Sequence, residues 1–130
     1  MDKVIHFEIP YDNFDKAKKF YSEVFGWDIV TVPEIKYNMV TTVQTDPNTH
    51  QPKESGAING GMYKRDADSC KTPVIVIGVK SIDESIDKVK KSGGKIIIPK
   101  RQIPNMGFYS QIQDPEGNII GLWQATVKKE

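Results

Sequence analysis

Apolar residues in the first third of the chain recur every three or four positions, which is typical of an amphipathic helix. They are Phe14, Ala17, Phe20, Tyr21, Val24 and Phe25, and lysines lie between them. Gly26 follows the last apolar residue and provides the left-handed stop that ends many helices. The pattern therefore predicts a helix from Phe14 to Phe25.

The segments around this helix are rich in β-branched and aromatic residues, as strands are. The strands predicted in the first half are residues 4–9, 27–32, 37–44 and 57–63. In the second half, residues 73–79 form a near-continuous apolar run, which suits a strand covered on both faces. Three more strands are predicted at residues 95–100, 108–113 and 119–124.

A second helix is predicted between the fifth and sixth strands. Ser81 and Glu84 have the spacing of a capping box, and Ile82, Ile86 and Val89 form its apolar stripe before Gly93 and Gly94. The order strand, helix, three strands therefore occurs twice.

Sliding the chain along itself by 68 positions supports this repeat. The matched pairs are Ile9 with Ile77, Phe14 with Ile82, Asp15 with Asp83, Tyr21 with Val89, and Gly26 with Gly94. We therefore predict an α+β fold in one domain, residues 1–130, built from two tandem βαβββ modules at about 1–66 and 71–126. The two modules are expected to form a curved eight-stranded sheet around a cavity. A ferredoxin-like fold is the competing architecture, but it leaves at least two strands without a place.

Composition narrows the class of partner. The 130 residues include 18 Lys and Arg against 17 Asp and Glu, which gives a net charge of +1. Such a balance argues against a dedicated nucleic-acid or membrane-surface protein and favours a small-molecule or protein partner. The sequence shows no signal peptide and no apolar run long enough to span a bilayer, so a cytoplasmic location is expected. Cys70 is the one cysteine and is interpreted as an exposed loop thiol.

Three motifs carry a family resemblance: residues 6–10 (HFEIP), 20–27 (FYSEVFGW) and 114–123 (DPEGNIIGLW). Together they resemble the vicinal oxygen chelate superfamily, which includes glyoxalase I, bleomycin-resistance proteins and extradiol dioxygenases, and most closely its small glyoxalase-related branch. The resemblance covers nearly the whole chain. It implies the paired-module fold, with lyase or isomerase chemistry on a carbonyl compound, and a homodimer.

The resemblance also implies a divalent metal held by one His or Glu from each of four strands. His6 matches the first of these positions, but the others fall on Val74, on Gly121, and on the segment Asn59 to Gly61. One imidazole does not hold a catalytic ion tightly. We therefore expect no resident metal or other cofactor, although weak divalent binding at His6 stays open.

The candidate catalytic residues are His6 and Glu8, which share one face of the first strand by alternation. His6 is interpreted either as a general base or as a structural histidine. The candidate ligand-binding residues are Asn59, Gly61, Val74, Val76, Tyr109, Gln111, Gly121 and Trp123. Glycines within the strands are expected to leave space for a ligand, although a filled core is an equal alternative.

Two hypotheses about small-molecule function follow, beside a third in which the domain serves association, because paired modules of the family it resembles commonly dimerise. The first is a protein that binds a small organic molecule between the modules and acts as a lyase or isomerase related to lactoylglutathione lyase. The second is a non-catalytic protein that sequesters an aromatic or cationic compound, like the bleomycin-resistance proteins, with Tyr109 and Trp123 as stacking surfaces.

Overall fold

The computed structural model describes residues 1–68 and 70–126. Within them the chain forms eight strands and two α-helices in the predicted order. The elements are β1 (Lys3–Tyr11), α1 (Phe14–Phe25), β2 (Asp28–Val32), β3 (Tyr37–Thr41), β4 (Gly60–Lys64), β5 (Val74–Gly78), α2 (Ile82–Lys91), β6 (Lys95–Ile103), β7 (Gly107–Gln113) and β8 (Ile119–Ala125), with a 3₁₀ turn at Pro33–Ile35. A four-stranded ferredoxin-like fold is excluded, and the α+β fold of two βαβββ repeats is confirmed.

The chain divides into two compact units, which we call the N-terminal unit and the C-terminal unit. The N-terminal unit is His6–Pro73, and the C-terminal unit joins Met1–Ile5 to the chain from Val74 onward. The placement of two modules around a shared cavity stays a prediction.

In the N-terminal unit the strands lie in the order β2, β3, β4, β1. β1 and β4 are parallel, whereas β2, β3 and β4 pair antiparallel. The core of this unit contains buried Ile29, Val40 and Met62. Residues of α1 pack on it through the predicted apolar stripe, because Phe14, Ala17 and Tyr21 contact this cluster.

The C-terminal unit repeats this arrangement with the strand order β5, β8, β7, β6. Again the first and last strands of the repeat are parallel, β5 with β8, and the other pairs are antiparallel. Its core contains buried Ile82, Ile112 and Leu122, and Ile86 and Val89 of α2 pack against it.

Both helices begin and end as the sequence predicts. The Asn13 side chain accepts a hydrogen bond from the backbone N–H of Lys16, and the Ser81 side chain accepts one from Glu84. Gly26 has a φ of +73°, the left-handed conformation expected after α1. Caps of this kind satisfy backbone groups that have no partner within the helix.

The turn between β7 and β8 positions the last strand. Asp114 accepts hydrogen bonds from the backbone N–H groups of Glu116 and Asn118 at 2.8 and 2.9 Å. Gly117 has a φ of +87°, which glycine adopts without strain. The motif at residues 114–118 therefore closes a hairpin that sets the register of β8 against β7.

Among residues 1–68 and 70–126, neither helix has the length and apolar character needed to cross a membrane.

Candidate functional site

His6 and Glu8 lie on the face of β1 that points away from α1. Strand alternation separates them from Phe7 and Ile9, which pack in the core of the N-terminal unit. Glu8 is 7% exposed, and His6 is partly buried. The predicted pair therefore shares one face, with the carboxyl group almost removed from solvent.

A tyrosine from another strand joins the two side chains. The Tyr37 hydroxyl of β3 lies 3.0 Å from Nε2 of His6 and donates a hydrogen bond to Oε2 of Glu8 at 3.1 Å. β3 and β1 are separated by β4 in the sheet, so the tyrosine ring crosses one whole strand. We call these three side chains the His6–Tyr37–Glu8 chain.

The direction of the hydrogen bonds in the His6–Tyr37–Glu8 chain follows from the charge of His6. Burial lowers the pKa of His6 from 6.5 to about 4, so the imidazole is neutral at neutral pH. A neutral imidazole carries one N–H, and a hydroxyl that donates to Glu8 accepts at its oxygen. His6 therefore carries its hydrogen on Nε2 and donates it to Tyr37, which donates its own to Glu8.

The missing side chain of Gly61 lets the Tyr37 ring cross β4. A Cβ atom at Gly61 would overlap the Tyr37 hydroxyl and the ring carbons next to it. At Gly60, on the helix side, a Cβ would collide with the Phe7 ring. Aromatic side chains therefore occupy the space beside Gly60 and Gly61, which agrees with the filled-core alternative at these two positions.

The same arrangement of a tyrosine over a glycine of the neighbouring strand, which we call the frame, occurs in the C-terminal unit. Gly61 of β4 is paired with Glu8 and Met39, and Gly121 of β8 is paired with Val76 and Gln111. Tyr37 lies two residues before Met39, as Tyr109 lies two before Gln111. In both units a tyrosine therefore covers a glycine of the neighbouring strand.

The chemistry of the two frames differs. The hydroxyl of Tyr109 accepts a hydrogen bond from Nε2 of Gln111 at 2.8 Å. Where the N-terminal unit has His6 and Glu8, the C-terminal unit has Val74 and Val76, which are 1% and 2% exposed. Gly121 is also covered, since a Cβ there would lie 3.0 Å from Val76 Cγ2 and 3.1 Å from the Tyr109 hydroxyl.

Two other predicted binding residues have structural contacts. The side-chain oxygen of Asn59 accepts hydrogen bonds from the backbone N–H groups of Thr42 and Val43 at 2.8 and 2.9 Å. Trp123 is paired with Gly78 and Tyr109, and its ring lies close to Gly107. The structure brings His6 and Glu8 together, and it brings Val76, Tyr109, Gln111 and Gly121 together in the other unit.

A second tyrosine lies near the carboxyl group of Glu8. Tyr63 follows Gly61 by two residues on β4 and donates a hydrogen bond to the backbone oxygen of Cys70 at 2.9 Å. Burial is the main cause that raises the pKa of Tyr63, and the charges of Cys70 and Glu8 add to it. Tyr63 therefore keeps its proton at neutral pH.

Tyr37 was missed by sequence reasoning for an identifiable reason. A constant offset of 68 matches Tyr109 with Thr41, because Glu8 and Val76 are 68 apart. In the structure the offset is 72 between Tyr37 and Tyr109, and 60 between Gly61 and Gly121. An alignment of the two repeats that allows gaps between strands matches Tyr37 with Tyr109.

The residues present do not fit the divalent metal that the resemblance implies. Within the part of the chain that the structure describes, no three His, Cys, Asp or Glu side chains are grouped closely enough to hold an ion. His6 and Glu8 supply two donors, and both contact Tyr37. The matched positions Val74 and Gly121 offer no ligand atom.

Comparison with known proteins identifies the family. The family model for the Glyoxalase/Bleomycin resistance protein/Dioxygenase superfamily matches residues 3–122. A relative from Mycobacterium bovis, "Putative glyoxylase CFP32", is 35% identical over 116 residues, which is 84% of this chain and 40% of that protein. The chain thus spans less than half the length of the curated relatives it matches.

Solved structures agree on the fold. A superfamily member from Vibrio splendidus 12B01 has a TM-score of 0.61 at 14% identity, covering 95% of this chain and 99% of that one. Methylmalonyl-CoA epimerase from Mycobacterium tuberculosis has a TM-score of 0.64 at 15% identity, covering 95% and 87%. At such identities the likeness shows the fold alone.

The fold and the register of its two repeats define a class of paired βαβββ proteins. With the family match over residues 3–122, this chain belongs to the Glyoxalase/Bleomycin resistance protein/Dioxygenase superfamily. The resemblance seen in the three motifs is therefore confirmed.

The contact of Tyr37 with Gly61 predicts a specific coupling in stability. Gly61→Ala should lower the free energy of unfolding by about 1–3 kcal/mol, because the new Cβ forces the ring aside. In a Tyr37→Ala background the same substitution should cost much less. Urea unfolding of the four proteins measures the coupling, and Gly121→Ala, where the contact is tight without overlap, should cost less than Gly61→Ala. Equal costs in both backgrounds contradict the packing described.

The buried, neutral His6 predicts a pH dependence. The unfolded chain binds a proton at His6 below about pH 6.5, whereas the folded chain does not until about pH 4. The free energy of unfolding should therefore fall as pH decreases through this window, by up to about 1.4 kcal/mol per pH unit. His6→Gln should reduce this slope in urea unfolding at pH 7.5, 6 and 5.

His50→Asn provides the matched control for this pH dependence. His50 is exposed, and its φ of +60° is one that Asn tolerates. This variant should keep the slope of the unmodified chain. A His6→Gln slope as steep as that of His50→Asn contradicts the neutral, buried His6.

Proposed function

We propose that this protein binds a small carbonyl compound beside the His6–Tyr37–Glu8 chain and catalyses an isomerase or lyase reaction in which Glu8 moves a proton. The observation that carries the proposal is the buried Glu8 carboxyl group, linked through one hydroxyl to a neutral imidazole. A carboxyl group withdrawn from water and held by a hydroxyl donor is suited to general base catalysis.

The position of the groups supports a ligand that approaches from the side of His6. His6 and Tyr37 are partly exposed, whereas Glu8 is almost buried. A small neutral carbonyl compound is better suited than an anion to approach the almost buried Glu8, because a negative charge near Glu8 is repelled. The proposed substrates are therefore aldehydes, ketones or their adducts whose reacting end is uncharged.

The reaction proposed is proton transfer at the carbon next to the carbonyl. Glu8 accepts the proton from that carbon and later returns it to the substrate. A curated relative that is 35% identical is named "Putative glyoxylase CFP32", which supports chemistry on a carbonyl compound without specifying the substrate. No step uses a metal ion, since the donor set described above does not fit one.

The sequestering hypothesis receives less support from the geometry. Tyr109 is 8% exposed, its hydroxyl is held by Gln111, and the guanidinium of Arg101 lies 5.6 Å from its ring centroid. A ring packed in this way offers little surface for a stacked ligand. Binding of an aromatic compound without turnover is therefore an outcome that would favour sequestration over catalysis.

Glu8→Gln tests the proposed reaction. The probes are the adduct of methylglyoxal with glutathione, followed by absorbance, and hydroxyacetone in deuterated water, followed by loss of the C–H signal in NMR. With chelator present, the unmodified protein should accelerate one of them, and Glu8→Gln should lower kcat by about 10²–10⁴-fold.

Glu23→Gln is the matched control, since Glu23 is exposed on α1. It should retain the rate of the unmodified protein. Turnover that requires added Ni or Zn, or that survives Glu8→Gln, contradicts the proposal.

A further inference from the structure

The Tyr37 hydroxyl has one hydrogen to donate and two lone pairs that accept. In the structure its hydrogen goes to Oε2 of Glu8, and its oxygen accepts from His6. His6 and Glu8 belong to β1, and the ring lies over Gly61. The hydroxyl oxygen therefore has a set position, and only the direction of its hydrogen is free to change by rotation about the C–O bond.

We infer that Tyr37 is a catalytic residue whose hydroxyl hydrogen turns from Glu8 to the substrate oxygen when Glu8 takes up a proton, an inference that rests on the proposed function. Once protonated, the carboxyl group has lost its negative charge and is a weaker acceptor for the Tyr37 hydrogen than the charged enolate oxygen. The tyrosine hydrogen therefore turns to the enolate oxygen, while the tyrosine oxygen still accepts from His6.

The proposed step balances without a cofactor. The C–H bond next to the carbonyl breaks, and its proton forms an O–H bond with Glu8. The electron pair of that bond becomes the carbon–carbon double bond of an enolate, and the carbonyl oxygen gains the negative charge. Tyr37 donates a hydrogen bond to that oxygen without transferring its proton, and Glu8 then returns its proton to carbon.

This arrangement gives the substrate oxygen a donor at the moment when charge develops there. A hydrogen bond to a charged group contributes more than one between neutral groups. The Tyr37 oxygen is held in place by the contact of its ring with Gly61, so the donor needs only a rotation about its C–O bond and little other reorganisation of the protein.

The C-terminal unit lacks this coupling. Tyr109 covers Gly121 in the same register, but its hydroxyl accepts from Gln111, an amide that does not change its protonation during a reaction. The equivalent of Glu8 there is Val76, which takes up no proton. The proposed rotation of the tyrosine hydrogen therefore applies to the N-terminal unit.

Acetate provides a direct probe, because it is a small planar anion with a charged oxygen that accepts hydrogen bonds, as the enolate oxygen does. Glu8→Gln and Glu8→Met remove the carboxylate, and Met leaves no oxygen at position 8 to accept from Tyr37. NMR titration at pH 7 and constant ionic strength, with each variant first shown to be folded by its thermal transition, gives the acetate Kd. Both variants should bind acetate at least about tenfold more tightly than the unmodified protein.

The decisive comparison adds Tyr37→Phe to each of these variants. Loss of the hydroxyl should weaken acetate binding by about tenfold or more, as expected for a hydrogen bond to a charged group. Acetamide, which is neutral, should show a much smaller effect. Tyr11→Phe removes a hydroxyl that Asn38 contacts elsewhere in the same unit, and should leave acetate binding unchanged.

Acetate binding that is the same with and without the Tyr37 hydroxyl overturns the inference. This readout is separate from turnover. If neither carbonyl probe reacts but the acetate pattern holds, the proposed reaction fails and the donor role of Tyr37 stands. If a probe reacts and Tyr37→Phe changes neither kcat nor acetate binding, the inference fails and the proposed function stands.

Discussion

The close approach of the Tyr37 ring to Gly61 is the contact on which the site depends. Because glycine has no side chain, an aromatic ring from β3 crosses β4 and brings its hydroxyl to β1. Any side chain at position 61 moves the ring and separates the hydroxyl from His6 and Glu8. The absence of a side chain at Gly61 of β4 therefore allows hydrogen bonds between side chains of β1 and β3.

The two units show how one backbone frame serves different chemistry. Tyrosine over glycine, in the same register between the same strands of the repeat, occurs in both. In the N-terminal unit the neighbouring strand supplies His6 and Glu8, and in the C-terminal unit it supplies Val74 and Val76. The frame is a matter of packing, and the groups beside it decide whether protons can be exchanged.

Much of the fold could be predicted from periodicity alone. The apolar helix stripes, the Ser81 cap and the turn at residues 114–118 depend on interactions between residues close in sequence, so a single sequence predicts them. The pairing of His6 with Glu8 on one face also followed from strand alternation.

The rest of the site could not be predicted because it depends on loop lengths. The segment between β3 and β4, residues 42–59, is much longer than its counterpart between β7 and β8, residues 114–118. β6 is also longer than β2, and sheet register does not constrain such lengths, so one fixed offset fails beyond the helix of each repeat. Glycine in a strand was also ambiguous: at Gly61 and Gly121 it accommodates a tyrosine of the same unit and leaves no gap for a ligand.

The most direct test of this account is the position of the hydrogen on His6. Nitrogen-15 NMR of the protein with labelled histidine at pH 7 distinguishes the two ring nitrogens, and His6→Gln assigns the signal. The ring should be neutral with its hydrogen on Nε2, directed at Tyr37, and that signal should shift in Tyr37→Phe. A hydrogen on Nδ1, or a charged ring at pH 7, would contradict the direction of the His6–Tyr37–Glu8 chain.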